Sequence, residues 1–140
     1  MKASETMRNV IETSSTKFKY QLLSRMKQDC NYYLGFGNRN EKSLWSESVE
    51  QHIIDMKALL ESFDRPNKPE WLTIIDIWEY EIKMTNKISI KEAKLLIYLG
   101  DSKYLDGIIK YENDKNIKSD LFIIDEVVKD FFKQLGITTY

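Results

Sequence analysis

Residues 20–45 read YQLLSRMKQDCNYYLGFGNRNEKSLW, and this stretch decides how the first half of the chain folds. Apolar side chains recur at helical spacing between Leu22 and Leu34, which predicts one amphipathic helix. Gly35 and Gly37 come next. We expect them to end the helix and to turn the chain at positive φ, because glycine adopts that conformation without strain. The polar residues 38–42 then predict a loop.

Three further helix starts follow the spacing of an N-terminal capping box, a serine or threonine three residues before a Gln, Asp or Glu. They are Ser48, Thr73 and Ser89. Residues 102–112 and 121–135 have the apolar spacing of two more helices, and the first fifteen residues read as a mobile arm or a short helix. We therefore expect an all-α or mainly α protein, a compact bundle of about five to six helices. The β-rich run at residues 117–124 is also compatible with a short strand. Residues 1–85 form one helical region on this interpretation, and residues 86–140 form a second one packed on it within one compact unit.

The composition is typical of a globular protein without a membrane segment. Of the 140 residues, 42% are apolar and 31% are charged, and no apolar run approaches the ~20 residues that a spanning helix needs. The first ten residues also lack the apolar core of a signal peptide. These features predict a soluble, cytoplasmic protein that does not bind a membrane.

Side chains suited to catalysis are scarce. Cys30 is the only cysteine and His52 the only histidine, which excludes an internal disulfide and a closed zinc site. We expect Cys30 to be a small buried hydrophobe and His52 to be a solvent-facing or hydrogen-bonded structural residue. The protein is then no enzyme and needs no cofactor or metal. The densest carboxylates also fit charged solvent faces of helices; they are Asp76, Glu79, Glu81, Asp125 and Glu126.

The loop after the first long helix is the best candidate for a binding surface. Aromatic side chains interleaved with Arg and Lys can stack on bases or anchor a protein interface. Tyr32 and Tyr33 lie roughly 100° apart on a helix, so we expect only one of them to be exposed. The predicted partner-binding residues are Tyr32, Tyr33, Asn38, Arg39, Asn40 and Lys42.

The charge distribution along the chain suggests a second surface. Residues 1–42 carry eight Lys or Arg against four Asp or Glu, and residues 43–85 carry four against nine. Oppositely charged helices that attract each other within the fold would explain this difference, and so would a charged face presented to a partner. An acidic face that imitates nucleic acid would use Glu47, Glu50, Asp55 and Glu61.

The block DCNYYLGFGNRNEKSLW, the helix QHIIDMKALL and the segment KPEWLTIIDIWEYEIKM resemble the large polyvalent protein-associated domains, in particular the eleventh numbered class. That family is typified by a D-C-[EN]-Y-[YF]-L-G-x-G-x-R-x-x-K-x-L-W block, a helix and a K-P-E-W-L-T block. Ser43 stands where the family block has His. The matching residues are Asp29, Cys30, Tyr32, Tyr33, Leu34, Gly35, Gly37, Arg39, Lys42, Leu44, Trp45 and the run from Lys68 to Thr73.

This resemblance implies a setting for the protein. Such domains occur in proteins of phages and conjugative elements, where they are associated with entry into a new bacterial cell. A small free-standing copy then implies a non-enzymatic inhibitor that binds a host defence protein or a protein–nucleic-acid complex, such as a CRISPR effector nuclease.

Residues after Asn86 offer an alternative function. The segment ISIKEAKLLIYLGDSKYLDGIIKY, followed by LFIIDEVVKDFF, is similar to excisionase-like winged helix-turn-helix domains. That similarity implies a DNA-binding accessory protein or regulator. The corresponding recognition helix carries only Lys103 and Lys110 against Asp106, however, and phosphate-neutralising cations supply much of the affinity for DNA. Oligomeric state does not follow from the sequence.

Overall fold

The computed structural model describes residues 2–117 and 124–140, and within them the chain is mainly helical. These residues contain seven α-helices, slightly more than the five to six expected, because the first fifteen residues also contribute a helix. The strand considered at residues 117–124 falls mostly on residues 118–123, which lie outside the described residues. The helices are α1 Glu5–Thr13, α2 Thr16–Leu34, α3 Val49–Glu61, α4 Ile74–Thr85, α5 Ile90–Leu99, α6 Ser102–Asp114 and α7 Asp125–Gln134. The strands are β1 Lys87–Ile88 and β2 Thr138–Thr139.

The chain divides into two compact units, Met1–Thr85 and Asn86–Tyr140. Helices α1 to α4 build the first unit around a core of aliphatic and methionine side chains. Two short 3₁₀ turns, Glu41–Ser43 and Arg65–Asn67, lie in the connections on either side of α3. The fully buried core residues include Met7, Leu23, Met26, Met56, Leu59, Leu72 and Ile77.

Helix starts follow the capping patterns of the sequence. Ser48 Oγ accepts from the Gln51 amide, and Ser89 Oγ accepts from the Glu92 amide at 3.1 Å. At α4 the cap is reciprocal: the Asp76 carboxylate accepts from the Thr73 amide at 2.8 Å while Thr73 Oγ1 accepts from the Asp76 amide. A side chain that satisfies a free amide at a helix start contributes about 1 kcal/mol.

The turn after α2 differs from the expectation at its glycines. Positive φ occurs at Asn38 (49°) and Arg39 (59°), and neither Gly35 nor Gly37 adopts it. Gly37 is required for a different reason, because a Cβ there would lie 2.7 Å from both the ring and the carbonyl oxygen of Tyr32. Close approach to the end of α2, not backbone freedom, therefore accounts for glycine at position 37.

The second unit combines α5, α6 and α7 with a two-stranded parallel sheet. In that sheet Lys87 pairs with Thr138 and Ile88 with Thr139. The core of the second unit contains an aromatic cluster in which Tyr104 stacks on Phe132, with 5.9 Å between the ring centroids. No helix among residues 2–117 and 124–140 is long and apolar enough to span a bilayer.

Candidate functional site

Arg39 joins the turn after α2 to the end of α4. Its guanidinium donates to the carbonyl oxygens of Lys83 at 3.1 Å and Met84 at 3.5 Å, and lies 5.9 Å from the centroid of the Tyr33 ring. The last carbonyls of a helix have no partner within the helix, and a cation there is favourable. Arg39, predicted to bind a partner, is thus already engaged in holding α2 and α4 together.

Asn40 and Glu41 also have structural roles in this loop. The Asn40 side chain caps the first 3₁₀ turn by accepting from the Lys42 amide at 3.0 Å. Glu41 Oε1 accepts from the Val49 amide at 3.1 Å, at the first residue of α3. These bonds, with that from the Trp45 amide to Asp29 Oδ2 at 3.0 Å, fix the path of the chain between α2 and α3.

The two adjacent tyrosines separate as expected. Tyr33 is buried under Arg39, so it is removed from the predicted binding surface, whereas Tyr32 is 52% exposed. Phe36 is the most exposed large apolar residue of the described chain, at 92%, but it was not among the predicted partner-binding residues. Its position between Gly35 and Gly37 was the available signal, because two flanking glycines leave such a side chain without neighbours to cover it.

Of the predicted residues, Tyr32, Asn38 and Lys42 remain free of structural contacts near the C-terminal end of α2. Together with Phe36 they form a set that we call the corner, and all four side chains are exposed. The side chains of Asn38 and Lys42 make no hydrogen bond or ion pair with the described residues. The corner thus presents two aromatic rings and one cation. The hydrogen bonds of Arg39, Asn40 and Glu41 hold the backbone of this loop in place.

Three of the four residues of the predicted acidic face are exposed. Asp55 is fully buried, whereas Glu47, Glu50 and Glu61 are exposed. Glu50 and Glu61 lie on one side of α3 but roughly 16 Å apart along its axis, and Lys57 lies between them. A surface that imitates nucleic acid needs contiguous negative charge. Asp55 therefore cannot belong to such a face, and the acidic mimic stays a prediction for the other three residues.

Asp55 instead connects three segments of the first unit. Its carboxylate accepts from the Ser4 amide at 2.8 Å and the Ser4 hydroxyl at 2.9 Å. It also accepts from Ser46 Oγ at 2.8 Å and Gln51 Nε2 at 2.9 Å. Four hydrogen bonds satisfy a buried carboxylate that the sequence pattern had placed on the surface.

The two reactive side chains lie in the core between α2 and α3. Burial, followed by the charge of Asp29, raises the pKa of the Cys30 thiol to about 12, and its Sγ lies 3.6 Å from Met56 Sδ. His52 is fully buried, with Nε2 3.0 Å from the Met26 carbonyl oxygen, and burial lowers its pKa. His52 is therefore the hydrogen-bonded structural residue of the two expected alternatives, and it does not face solvent.

The carboxylates considered for acid–base chemistry have separate roles. Glu81 is buried and pairs with Lys57 at 2.8 Å, whereas Asp76 belongs to the cap of α4. In the second unit Asp125 pairs with Lys94. Over the described ranges 2–117 and 124–140, no three His, Cys, Asp or Glu side chains are grouped as metal ligands would be.

Comparison with known protein families gives one match. The family described as Large polyvalent protein-associated domain 11 matches residues 16–84, which begin at the first residue of α2 and end within α4. That family is associated with polyvalent proteins of phages. No curated protein and no solved structure matches the chain significantly.

Proposed function

Residues 16–84 belong to the large polyvalent protein-associated domain 11 family, and on that premise we propose that this chain is a non-enzymatic interaction protein of a phage or other mobile element. It acts in the bacterial cytoplasm against host defence. Its target is an immune effector, a protein or protein–nucleic-acid complex such as a CRISPR nuclease, which it binds and inhibits.

The corner is the observation that carries this proposal. Exposed aromatic side chains are the usual anchors of protein interfaces, and anchors that are already ordered lose little entropy on binding. The hydrogen bonds of Arg39, Asn40 and Glu41 hold the backbone that presents Phe36 and Lys42. A large aromatic ring left 92% exposed on such a fixed turn is well suited to enter a pocket of a partner.

A binding role without catalysis is supported by the placement of the reactive groups. Nucleophilic catalysis needs an accessible Ser or Cys beside a base. Cys30 is buried beside a methionine, and the one histidine, His52, bonds a backbone carbonyl in the core. Both residues contribute to packing between α2 and α3.

Co-purification of the full chain with a panel of purified defence effectors, including CRISPR nucleases loaded with guide RNA, tests the proposal. Phe36→Ser and Lys42→Glu should weaken association while leaving the fold intact, since both side chains are exposed. Loss of an aromatic anchor at the centre of an interface typically weakens binding roughly 30-fold or more. Leu135→Ser, at another exposed apolar residue, is the matched control and should bind like the wild type. Absence of binding to every effector, or equal binding by all four proteins, would contradict the proposal.

A DNA-binding regulator is the second candidate, favoured by the arrangement of α5 and α6. Only Gly100 and Asp101 separate these helices, as in a helix-turn-helix. The exposed side chains of α6 include Lys103 and Lys110, but also Asp106 and Asp114, so this helix has no excess of positive charge. Gel shifts of duplex DNA at 50 and 200 mM salt discriminate the candidates, because a DNA-binding protein with several phosphate contacts loses affinity steeply over that range.

A further inference from the structure

An open groove lies against α2 in the first unit, away from the side chains that hold the turn. Its volume is about 400 Å³, enough for a planar ring system with its substituents. Gln21, Arg25 and Gln28 follow one another at intervals of four and three residues, so they lie on one side of α2 over roughly 10 Å of its length. The groove is lined by Tyr20, Gln21, Ser24, Arg25, Gln28 and Trp71.

Trp71 forms an exposed aromatic wall that is held in place. Its side chain is 41% exposed, although the next residue, Leu72, is fully buried in the core. Lys27 Nζ donates to the Trp71 carbonyl oxygen at 3.1 Å and lies 5.9 Å from the indole centroid. The buried neighbour and this lysine restrict the segment, so the indole is presented to the groove without being part of the core.

Tyr20 is fixed from the other side. Its ring stacks on Phe63 at 4.9 Å between centroids, and its hydroxyl donates to the Asn67 carbonyl oxygen. Gln21 and Gln28 also line the groove, and their amides carry both hydrogen-bond donors and acceptors. The lining thus combines aromatic faces with polar groups of both kinds, which suits a planar heteroaromatic ring with a polar edge.

The charge around the groove favours an anionic ligand. Arg25 lines the groove, and α2 as a whole carries four cations and one carboxylate, that of Asp29; the cations are Lys17, Lys19, Arg25 and Lys27. Arg25 is only loosely paired with Asp29, at 3.9 Å, and its side chain is 64% exposed. Lys19 Nζ is held 3.4 Å from the Ser62 carbonyl oxygen. Among residues 2–117 and 124–140, no acidic side chain lines the groove.

We propose that this groove binds a base of a single-stranded nucleic acid, with the base stacked on Trp71 and the backbone phosphates beside Arg25 and Lys27. Stacking platforms set along cationic surfaces are how proteins bind single strands without sequence preference. An acidic peptide would satisfy the cations but would leave the indole and the amides without their planar partner. The groove is separate from the corner. A protein–nucleic-acid complex is therefore a partner that would occupy both sites, with its nucleic acid in the groove and its protein at the corner.

Fluorescence anisotropy of labelled hexamers of deoxythymidine and of uridine, titrated with the full chain, tests this inference. Binding should weaken with rising salt with a log–log slope of about −1.5 to −2, as expected for two or three phosphate contacts on a single strand. Trp71→Ala should weaken binding about 10-fold or more, since stacking of one base is lost. Arg25→Gln should reduce both the affinity and the salt slope.

Two controls keep the result interpretable. Leu135→Ala removes an exposed apolar side chain outside the groove, and Lys91→Gln removes an exposed cation on α5, so both should bind within about twofold of the wild type. Unchanged circular dichroism and melting of Trp71→Ala would show that the fold persists. The inference is overturned if neither hexamer binds at 50 mM salt, if Trp71→Ala binds like the wild type, or if duplex DNA or a poly-glutamate peptide binds as tightly as the single strands. These outcomes are independent of whether the corner binds an effector.

Discussion

Replacement of Arg39 by alanine separates a structural role from a binding role. The change removes the hydrogen bonds to the carbonyl oxygens of Lys83 and Met84 and the contact with the Tyr33 ring. The two hydrogen bonds together contribute about 1 kcal/mol, since the part-buried bond to Met84 is at the distance limit and solvent competes for the exposed bond to Lys83. The favourable position at the helix C-terminus and the aromatic contact add about 0.5 kcal/mol each. We therefore expect a loss of about 2 kcal/mol.

For a unit of the size of Met1–Thr85, that loss lowers the melting temperature by roughly 10 °C. Tryptophan fluorescence is the appropriate probe, because Trp45, Trp71 and Trp78 all lie in this unit. Lys42→Ala, in the same loop, is the matched control and should melt within about 2 °C of the wild type. An unchanged melting temperature for Arg39→Ala, combined with loss of partner binding, would refute the structural role and return Arg39 to the binding surface.

Two substitutions and one labelling experiment probe the first unit further. Gly37→Ala places a Cβ 2.7 Å from the Tyr32 carbonyl oxygen and should cost about 2 kcal/mol, measured by the same fluorescence melt; equal stability would contradict the close approach. Burial lowers the pKa of His52 below 6.5, so the unfolded state binds a proton that the native state does not. The free energy of unfolding should fall as the pH drops below about 6.5, and His52→Gln should remove that component. The pKa of about 12 of Cys30 predicts no labelling by a thiol reagent at pH 8 until denaturant is added, and rapid labelling of the native chain would contradict its burial.

Local features of the sequence predicted the helices well. The caps at Ser48, Thr73 and Ser89 involve residues only three positions apart, so they are visible in any short window of sequence. The end of α2 at Leu34 followed from the glycines, even though these residues act by another mechanism than positive φ. The family could also be named from sequence, since its blocks have fixed spacing.

Features that depend on distant partners were wrong or missed. The sequence pattern predicts Asp55 to be a surface carboxylate on a charged helix. Its burial depends on the hydrogen bonds that Ser4 and Ser46 donate to its carboxylate oxygens, and both residues are distant in sequence from α3 or lie outside it. Arg39 looked free because the carbonyls that it bonds lie 44 and 45 residues further along the chain. The sequence also could not decide which of Tyr32 and Tyr33 is buried. The helix geometry fixes the angle between the two side chains about the axis of α2, but it does not say which side of α2 faces the core.

Plating of a phage on bacteria whose CRISPR nuclease targets it measures the proposed activity most directly. Cells that express the wild-type chain should allow plaques to form at close to the efficiency seen without a targeting guide. Phe36→Ser combined with Lys42→Glu should lose most of that protection at equal protein level, whereas Leu135→Ser should keep it. Full protection by the double variant, or absence of protection by the wild type against every effector that it binds, would contradict an inhibitor that acts through the corner.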